Sequence, residues 1–134
     1  KKLAAETVKL IGLHMYNLRC DARESKARRF IVDNLPYFEK LLLLKQADFS
    51  ACKDDMRIAP FVEKYNVIYA KMKEEGVPLT VGGLDIKGSD LAGFVPACEI
   101  GITLKKLLNE CVIGSVPNNR QKLLEAAKRL RFIK

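Results

Sequence analysis

The stretch CEIGITLKKLLNECVIGSVPNNRQKLLEAAKRL, residues 98–130, decides the fold class because its apolar side chains recur every three or four residues. This spacing is typical of α-helices with one buried face, and it runs twice through the segment. The first run predicts a helix over about 98–113 with Gly114 just past its end. Asn118 or Asn119 then caps a last helix. The apolar positions are Ile100, Leu104, Leu107, Leu108, Cys111 and Val112 in the first helix, and Leu123, Leu124, Ala127 and Leu130 in the second.

The same period continues upstream and predicts a helix over residues 3–19. Its expected buried stripe consists of Leu3, Thr7, Leu10, Ile11, His14, Met15 and Leu18. Asp21 and Glu24 stand three residues apart, as in a capping box, and this predicts the start of a second helix.

Two further helices follow before the chain changes character. Asn34 is expected to cap a third helix over about 36–53. Asp54 or Asp55 can cap a fourth helix, and Gly76 is expected to end it.

A connector rich in glycine separates these helices from the last two. Four of the eight glycines lie in residues 76–88, and Ser89 or Asp90 can begin one short helix after them. Residues 77–81 could form one short strand, but the sequence offers no partner strand, so we expect no sheet. The predicted fold class is therefore all-α, a helical bundle followed by a Gly-rich connector and a basic two-helix tail. The predicted domains are 1–76 for the helical body and 77–134 for the tail.

Positive charge is concentrated at the two ends of the chain. The 134 residues carry a formal net charge of +8, to which residues 1–60 contribute +4, residues 61–90 contribute −1 and residues 91–134 contribute +5. A basic end on a globular chain favours a polyanionic partner, nucleic acid before membrane, because no helix pairs a broad aromatic face with a lysine face. A solvated surface that keeps the protein soluble is the alternative. The candidate nucleic-acid-binding residues are Lys105, Lys106, Arg120, Lys122, Lys128, Arg129 and Arg131, with Lys134 nearby.

The cysteines give no metal-binding pattern. No two of them form a Cys-x-x-Cys pair, so a structural zinc site is not expected. Single cysteines at apolar helical positions are typical of proteins in a reducing compartment, and we expect the cytoplasm. The four residues are Cys20, Cys52, Cys98 and Cys111.

Catalytic constellations are missing as well. His14 is the only histidine, and together with Asp21 and Asp48 it cannot supply the several His and Asp ligands of an HD-type metal site. Gly82 and Gly83 stand in no phosphate-loop motif, and no preceding strand is predicted. We therefore expect no catalytic residue, metal site or cofactor in these residues. No apolar run is long enough to span a membrane.

A longer pattern covers residues 84–127. It consists of Leu84–Leu91, Glu99–Gly101, Leu104, Leu107, Leu108, Val112, Gly114, Pro117, Asn118, Leu123, Leu124 and Ala127. The pattern resembles the C-terminal RNA-binding region of bacterial CCA-adding tRNA nucleotidyltransferases and their poly(A) polymerase relatives. That family has an I-x-G-x-D-L turn, a G-x-x-x-G-P-E-I-G loop, a Leu-rich helix, V-x-x-G, P-N and a last helix. Lys26–Phe30 and Leu42–Asp48 are similar to the end of the family's HD-like helical body.

The resemblance implies a tRNA-binding fragment that positions tRNA by backbone and shape contacts. Nucleotide addition, with Mg²⁺ and nucleoside triphosphates, would belong to an N-terminal head. The Gly-Gly-x-x-Arg-Asp and Asp-x-Asp elements of that head do not occur here. Gly82–Asp85 is similar to the Gly-Gly-x-x-Arg-Asp element but lacks its arginine. Ala97 and Cys98 stand where the family tends to have Gly-Pro. The chain begins without Met, which fits a piece of a longer protein. The alternative is a non-catalytic helical module for protein interaction or dimerisation, with a basic surface.

Overall fold

The computed structural model describes residues 1–14, 22–53 and 57–132. Expectations that concern Met15, Leu18, Cys20, Asp21, Asp54, Asp55 and Lys134 lie outside the described residues.

The described residues form seven α-helices and no strand, which confirms the all-α fold class. Two 3-10 turns lie between the helices, at Leu35–Tyr37 and Val81–Gly83. No helix in residues 1–14, 22–53 or 57–132 is long and apolar enough to cross a membrane. The helices are α1 (Lys2–His14), α2 (Glu24–Asp33), α3 (Phe38–Lys53), α4 (Pro60–Glu74), α5 (Gly88–Leu91), α6 (Ala97–Val112) and α7 (Arg120–Phe132).

The chain divides into two compact units, Lys1–Lys71 and Met72–Lys134. The division falls inside α4, a few residues before the domain boundary that the sequence predicts between residues 76 and 77. A division by internal contacts does not test independent folding, so the domain boundary stays a prediction.

Aromatic side chains organise the core of the first unit. Phe38 is 1% exposed, and its ring meets the Tyr69 ring edge-to-face with the centroids 5.2 Å apart. Phe30 and Tyr65 form a second edge-to-face pair at 5.8 Å. Such pairs add about 0.5–1.5 kcal/mol each to the free energy gained by burial. They join α2 and α3 to α4, with Ile31 and other aliphatic residues filling the space between them.

The predicted burial of the α1 stripe is wrong. Leu3 is 76% exposed and Ile11 is 59% exposed, while Leu10 is only partly buried. The physical reason is that, within the described part of the chain, α1 packs mainly against α3, and a single helix covers only a narrow face of α1. An ion pair between Glu6 and Lys40 lies at this contact.

The predicted start of α2 and start of α3 are also wrong in detail. Glu24 is the first residue of α2 rather than a third-position capping partner, and the preceding Arg23 makes no side-chain cap bond. Asn34 follows the end of α2, where its amide donates to the Phe30 carbonyl at 2.9 Å. The 3-10 turn then carries the chain to Phe38, so Asn34 does not cap α3.

Glycine ends two helices as predicted. Gly76 has φ +67° after α4, and Gly114 has φ +82° after α6. Each turn carries the 6→1 backbone bond of a Schellman motif, from Val77 N–H to the Met72 carbonyl and from Ser115 N–H to the Glu110 carbonyl.

The second unit is built on α6 and α7, which pack against each other and against the connector. Leu107 and Leu123 are fully buried at the centre of this core. Gly88 begins α5, where an added Cβ would lie 3.1 Å from Ile100 Cγ2, so glycine permits the close approach of α5 to α6. The buried cluster comprises Leu84, Ile86, Leu91, Val95, Leu107, Cys111, Val116, Leu123, Ala126 and Ala127.

Candidate nucleic-acid interface

The N-terminus of α7 is held by a network of side chains from the connector. Asn118 Oδ1 accepts a bond from Asp85 N–H at 2.9 Å, and Asn118 Nδ2 donates to the Gly83 carbonyl at 3.0 Å. Asp85 Oδ2 accepts the Arg120 N–H at 3.0 Å. Asp90 pairs with the Arg120 guanidinium at 2.7 Å and also accepts the Lys87 N–H. We call Gly83, Asp85, Asp90, Asn118 and Arg120 the clasp.

The first three N–H groups of α7, which have no acceptor within the helix, bond to side chains of the protein. The Asp85 carboxylate takes the first, and Asn119 Oδ1 takes those of Gln121 at 3.0 Å and Lys122 at 3.3 Å. The predicted cap is therefore Asn119, while Asn118 belongs to the clasp. Because a carboxylate already neutralises the positive end of the helix dipole, this helix start is not suited to a phosphate.

A first groove runs between the beginning of α6 and the end of α7. Lys106 and Arg131 line it from opposite helices, with Glu99 near them and the 58%-exposed Ile102 on the wall. A hydrogen bond from the Arg131 guanidinium to the Phe94 carbonyl holds Arg131 in place. We call this the Lys106 groove; its lining is Val95, Pro96, Glu99, Ile102, Thr103, Lys106, Ala127, Leu130 and Arg131.

A second groove lies beside the turn between α6 and α7. We call it the Arg129 groove; its lining is Ser115, Val116, Pro117, Lys122, Glu125, Lys128 and Arg129. Lys122 pairs with Glu125 at 3.2 Å, and this hydrogen bond holds the pKa of the Glu125 carboxyl below its usual value. The Lys128 ammonium lies 5.8 Å from the centroid of the Phe94 ring, in a cation–π contact.

Five of the seven candidate cations thus line two grooves around α7: Lys106 and Arg131 in the first, and Lys122, Lys128 and Arg129 in the second. Lys105 is exposed but lines neither groove, because successive helical residues diverge by about 100°. Arg120 is in the clasp, although its side chain is 64% exposed.

Acidic side chains line the same two grooves and a depression between them. Glu99 lines the Lys106 groove, Glu125 lines the Arg129 groove, and Glu110 lies with Arg129 in a depression between them. These are the only acids in residues 91–134, so every one of them stands among the candidate cations. The surface around α7 is consequently basic in sum but mixed in sign.

The sequence pattern predicts no role for Asp85 beyond its place in the family-like stretch. It predicts that Ser89 or Asp90 begins the short helix, which is wrong in detail because α5 begins at Gly88. In the structure the two carboxylates hold the connector against α7, with sequence separations from Arg120 of 35 residues for Asp85 and 30 for Asp90. The net charge of a segment cannot reveal these contacts, because a paired acid and base cancel in the sum. Among the described residues, no three His, Cys, Asp or Glu side chains converge in a way that could hold a metal ion.

Comparisons with protein-family models, with curated proteins and with solved structures found no match for this chain. The resemblance to tRNA nucleotidyltransferases therefore stays a prediction.

Proposed function

We propose that residues 77–134 bind the sugar–phosphate backbone of a folded RNA, with tRNA as the partner, through the cations of α6 and α7. The observation that carries the proposal is the grouping of Lys106, Lys122, Lys128, Arg129 and Arg131 in two neighbouring grooves. Lysine and arginine side chains in neighbouring grooves can contact the phosphates along a nucleic-acid strand without contacting the bases.

The proposal extends to the parent protein through the resemblance at residues 84–127. In it, this chain positions tRNA for a nucleotidyltransferase head of the CCA-adding or poly(A) polymerase type, in the cytoplasm. Nucleotidyl transfer, with its Mg²⁺ and nucleoside triphosphate, belongs to that head and not to the side chains described above.

Fluorescence anisotropy with a labelled tRNA, at low and at moderate salt, tests the proposal. We expect binding at low salt and a steep loss of affinity as salt rises, because each phosphate contact releases condensed counterions. The variant K106Q/R131Q should weaken binding about tenfold or more, from two lost phosphate contacts. K2Q/K9Q is the matched control, since it removes two exposed lysines from α1. Absence of tRNA binding at low salt, or equal affinities of the two variants, contradicts the proposal.

A second candidate function rests on the outer face of α1. Leu3, Val8 and Ile11 are 76%, 70% and 59% exposed, and apolar side chains grouped in this way favour contact with another protein surface. Sedimentation of the purified chain tests a dimer. A dimer that dissociates on V8E/I11E while tRNA binding persists assigns protein contact to this face, and a monomer at all concentrations rejects self-association.

A further inference from the structure

The first unit carries a second basic surface, on the solvent side of α2. Arg23, Lys26 and Arg29 follow one another at intervals of three residues, and all three side chains are exposed. Residues three apart in a helix lie on neighbouring positions of one face, with a rise of about 4.5 Å between them. We call these three residues the α2 ladder.

A fourth cation of the same segment behaves differently. Arg28 is 6% exposed and its guanidinium pairs with the Glu24 carboxylate at 2.7 Å. Lys71 of α4 reaches the same carboxylate at 3.1 Å. Glu24, the one acid in the first turn of α2, is thus already shared by two cations, of which Lys71 joins α2 to α4.

Among the residues that the structure describes, the α2 ladder has no acidic partner. None of Arg23, Lys26 and Arg29 forms an ion pair with any residue in 1–14, 22–53 or 57–132. Asp33 is the one acid further along this face, four residues beyond Arg29, and it does not pair with it. Like charges at this spacing repel and weaken a helix by a few tenths of a kcal/mol, so the charges of the ladder do not stabilise α2.

The spacing and surroundings of the ladder select the partner. Arg23 immediately precedes α2, and Lys26 and Arg29 lie within it. The three residues together span about 9 Å along the helix axis, which matches two or three successive phosphates of one nucleic-acid strand. A lipid surface would require large apolar side chains on the same face, and α2 contributes none to the exposed large hydrophobic residues of the chain's described part.

We propose that Arg23, Lys26 and Arg29 form a second RNA-backbone contact surface, in addition to the grooves around α7. The inference rests on the proposed RNA partner but not on the residues that carry the proposed function. Arg28 has the separate task of stabilising the fold, although it neighbours Arg29 in sequence.

The test measures RNA affinity of the full chain against salt concentration, with labelled tRNA and the variant R23Q/K26Q/R29Q. Loss of up to three phosphate contacts should reduce the slope of log affinity against log salt by about 2 to 3, and affinity at low salt by about tenfold to a hundredfold. The control K1Q/K2Q/K9Q makes the same change in net charge at exposed lysines of the first helix and its start. We expect its salt slope to equal that of the wild type.

The outcomes separate the two proposals. If R23Q/K26Q/R29Q binds like K1Q/K2Q/K9Q while K106Q/R131Q is weakened, the ladder is not a contact surface and the α7 grooves are. If the ladder variant is weakened and K106Q/R131Q is not, the proposed function of the grooves fails and the ladder stands. If wild-type protein does not bind tRNA at low salt, both fail.

A measurement on the unmodified protein provides an independent check. Acetylation of surface lysines, read out by mass spectrometry, should show Lys26 protected by tRNA and Lys9 unprotected. Equal acetylation of Lys26 with and without tRNA overturns the inference. R28Q serves as the structural contrast, because it should lower the unfolding midpoint more than R29Q does.

Discussion

Removal of the Asn118 side chain is the most direct perturbation of the clasp. Asn118→Ala eliminates the bond that Asp85 N–H donates at 2.9 Å and the bond to the Gly83 carbonyl at 3.0 Å. A typical hydrogen bond contributes about 0.5–1.5 kcal/mol net, and both bonds are exposed to solvent, so the low end of the range applies. We therefore expect the free energy of unfolding to fall by about 1 kcal/mol.

Urea unfolding followed by far-UV circular dichroism measures this loss. With a slope of about 2 kcal/mol per M of urea for a small protein, a change of 1 kcal/mol lowers the midpoint by about 0.5 M. The chain has no tryptophan, and the described tyrosines lie in the first unit. Helix content is therefore a better probe of the second unit than fluorescence. Asn109→Ala is the matched control, because the Asn109 side chain makes no hydrogen bond with the described residues.

Amide exchange measured by NMR locates the effect. In Asn118→Ala, the Asp85 N–H loses its acceptor and should exchange faster, and the Arg120 N–H should follow because Asp85 is no longer held in place. Amides in the middle of α6 should change little by comparison. An unchanged midpoint together with unchanged exchange at Asp85 and Arg120 would show that the clasp does not stabilise the start of α7.

Three further measurements concern single residues. Burial, and to a smaller extent the nearby Glu110, raises the pKa of the Cys111 thiol to about 11. At mildly alkaline pH this thiol should therefore react with a disulfide reagent far more slowly than the exposed Cys98, and the two should react equally fast only in urea. Equal rates in the native protein contradict this. The hydrogen bond from Arg28, and then that from Lys71, hold the pKa of Glu24 below its usual value of 4.5, so this carboxylate contributes stability above that pH and loses it as the pH falls through the folded pKa. Unfolding free energy should consequently depend less on pH between about pH 5 and pH 3 in Glu24→Gln than in the wild type, and identical pH profiles refute the contribution. Gly114→Ala should cost about 1–2 kcal/mol by urea unfolding, because φ is +82° there, and an unchanged midpoint contradicts the strain argument.

The helices of the second unit could be predicted closely from the sequence because their signals are local. The apolar period predicts both ends of α6 to within one residue, and Gly114, in the left-handed conformation, follows the helix as predicted. Asn119 lies immediately before α7 and caps it, because its Oδ1 accepts the N–H groups of Gln121 and Lys122. Such contacts join residues at most six positions apart, so a linear pattern contains them.

The remaining features depend on which elements meet in space. The stripe of α1 has helical spacing, yet Leu3 is exposed because α3 covers a different face. Asn34 is a favourable cap residue by type, but the 3-10 turn Leu35–Tyr37 separates it from α3, and its amide bonds to the Phe30 carbonyl of α2 instead. Asn118 and Asn119 are equivalent in a sequence pattern, and only the proximity of Gly83 and Asp85 gives Asn118 its different role.

Net charge misrepresents this protein for the same reason. Arg28 and Arg29 are neighbours with the same formal charge, yet one is buried on Glu24 and the other is open to solvent. Arg120 and Lys122 are likewise paired, with Asp90 and Glu125, so a phosphate must displace a carboxylate before it gains their full charge. Lys106 has no ionic partner among the described residues and requires no such exchange. Because exchange offsets part of each new contact, the unpaired cations rather than the most basic stretch of sequence should determine where a polyanion binds.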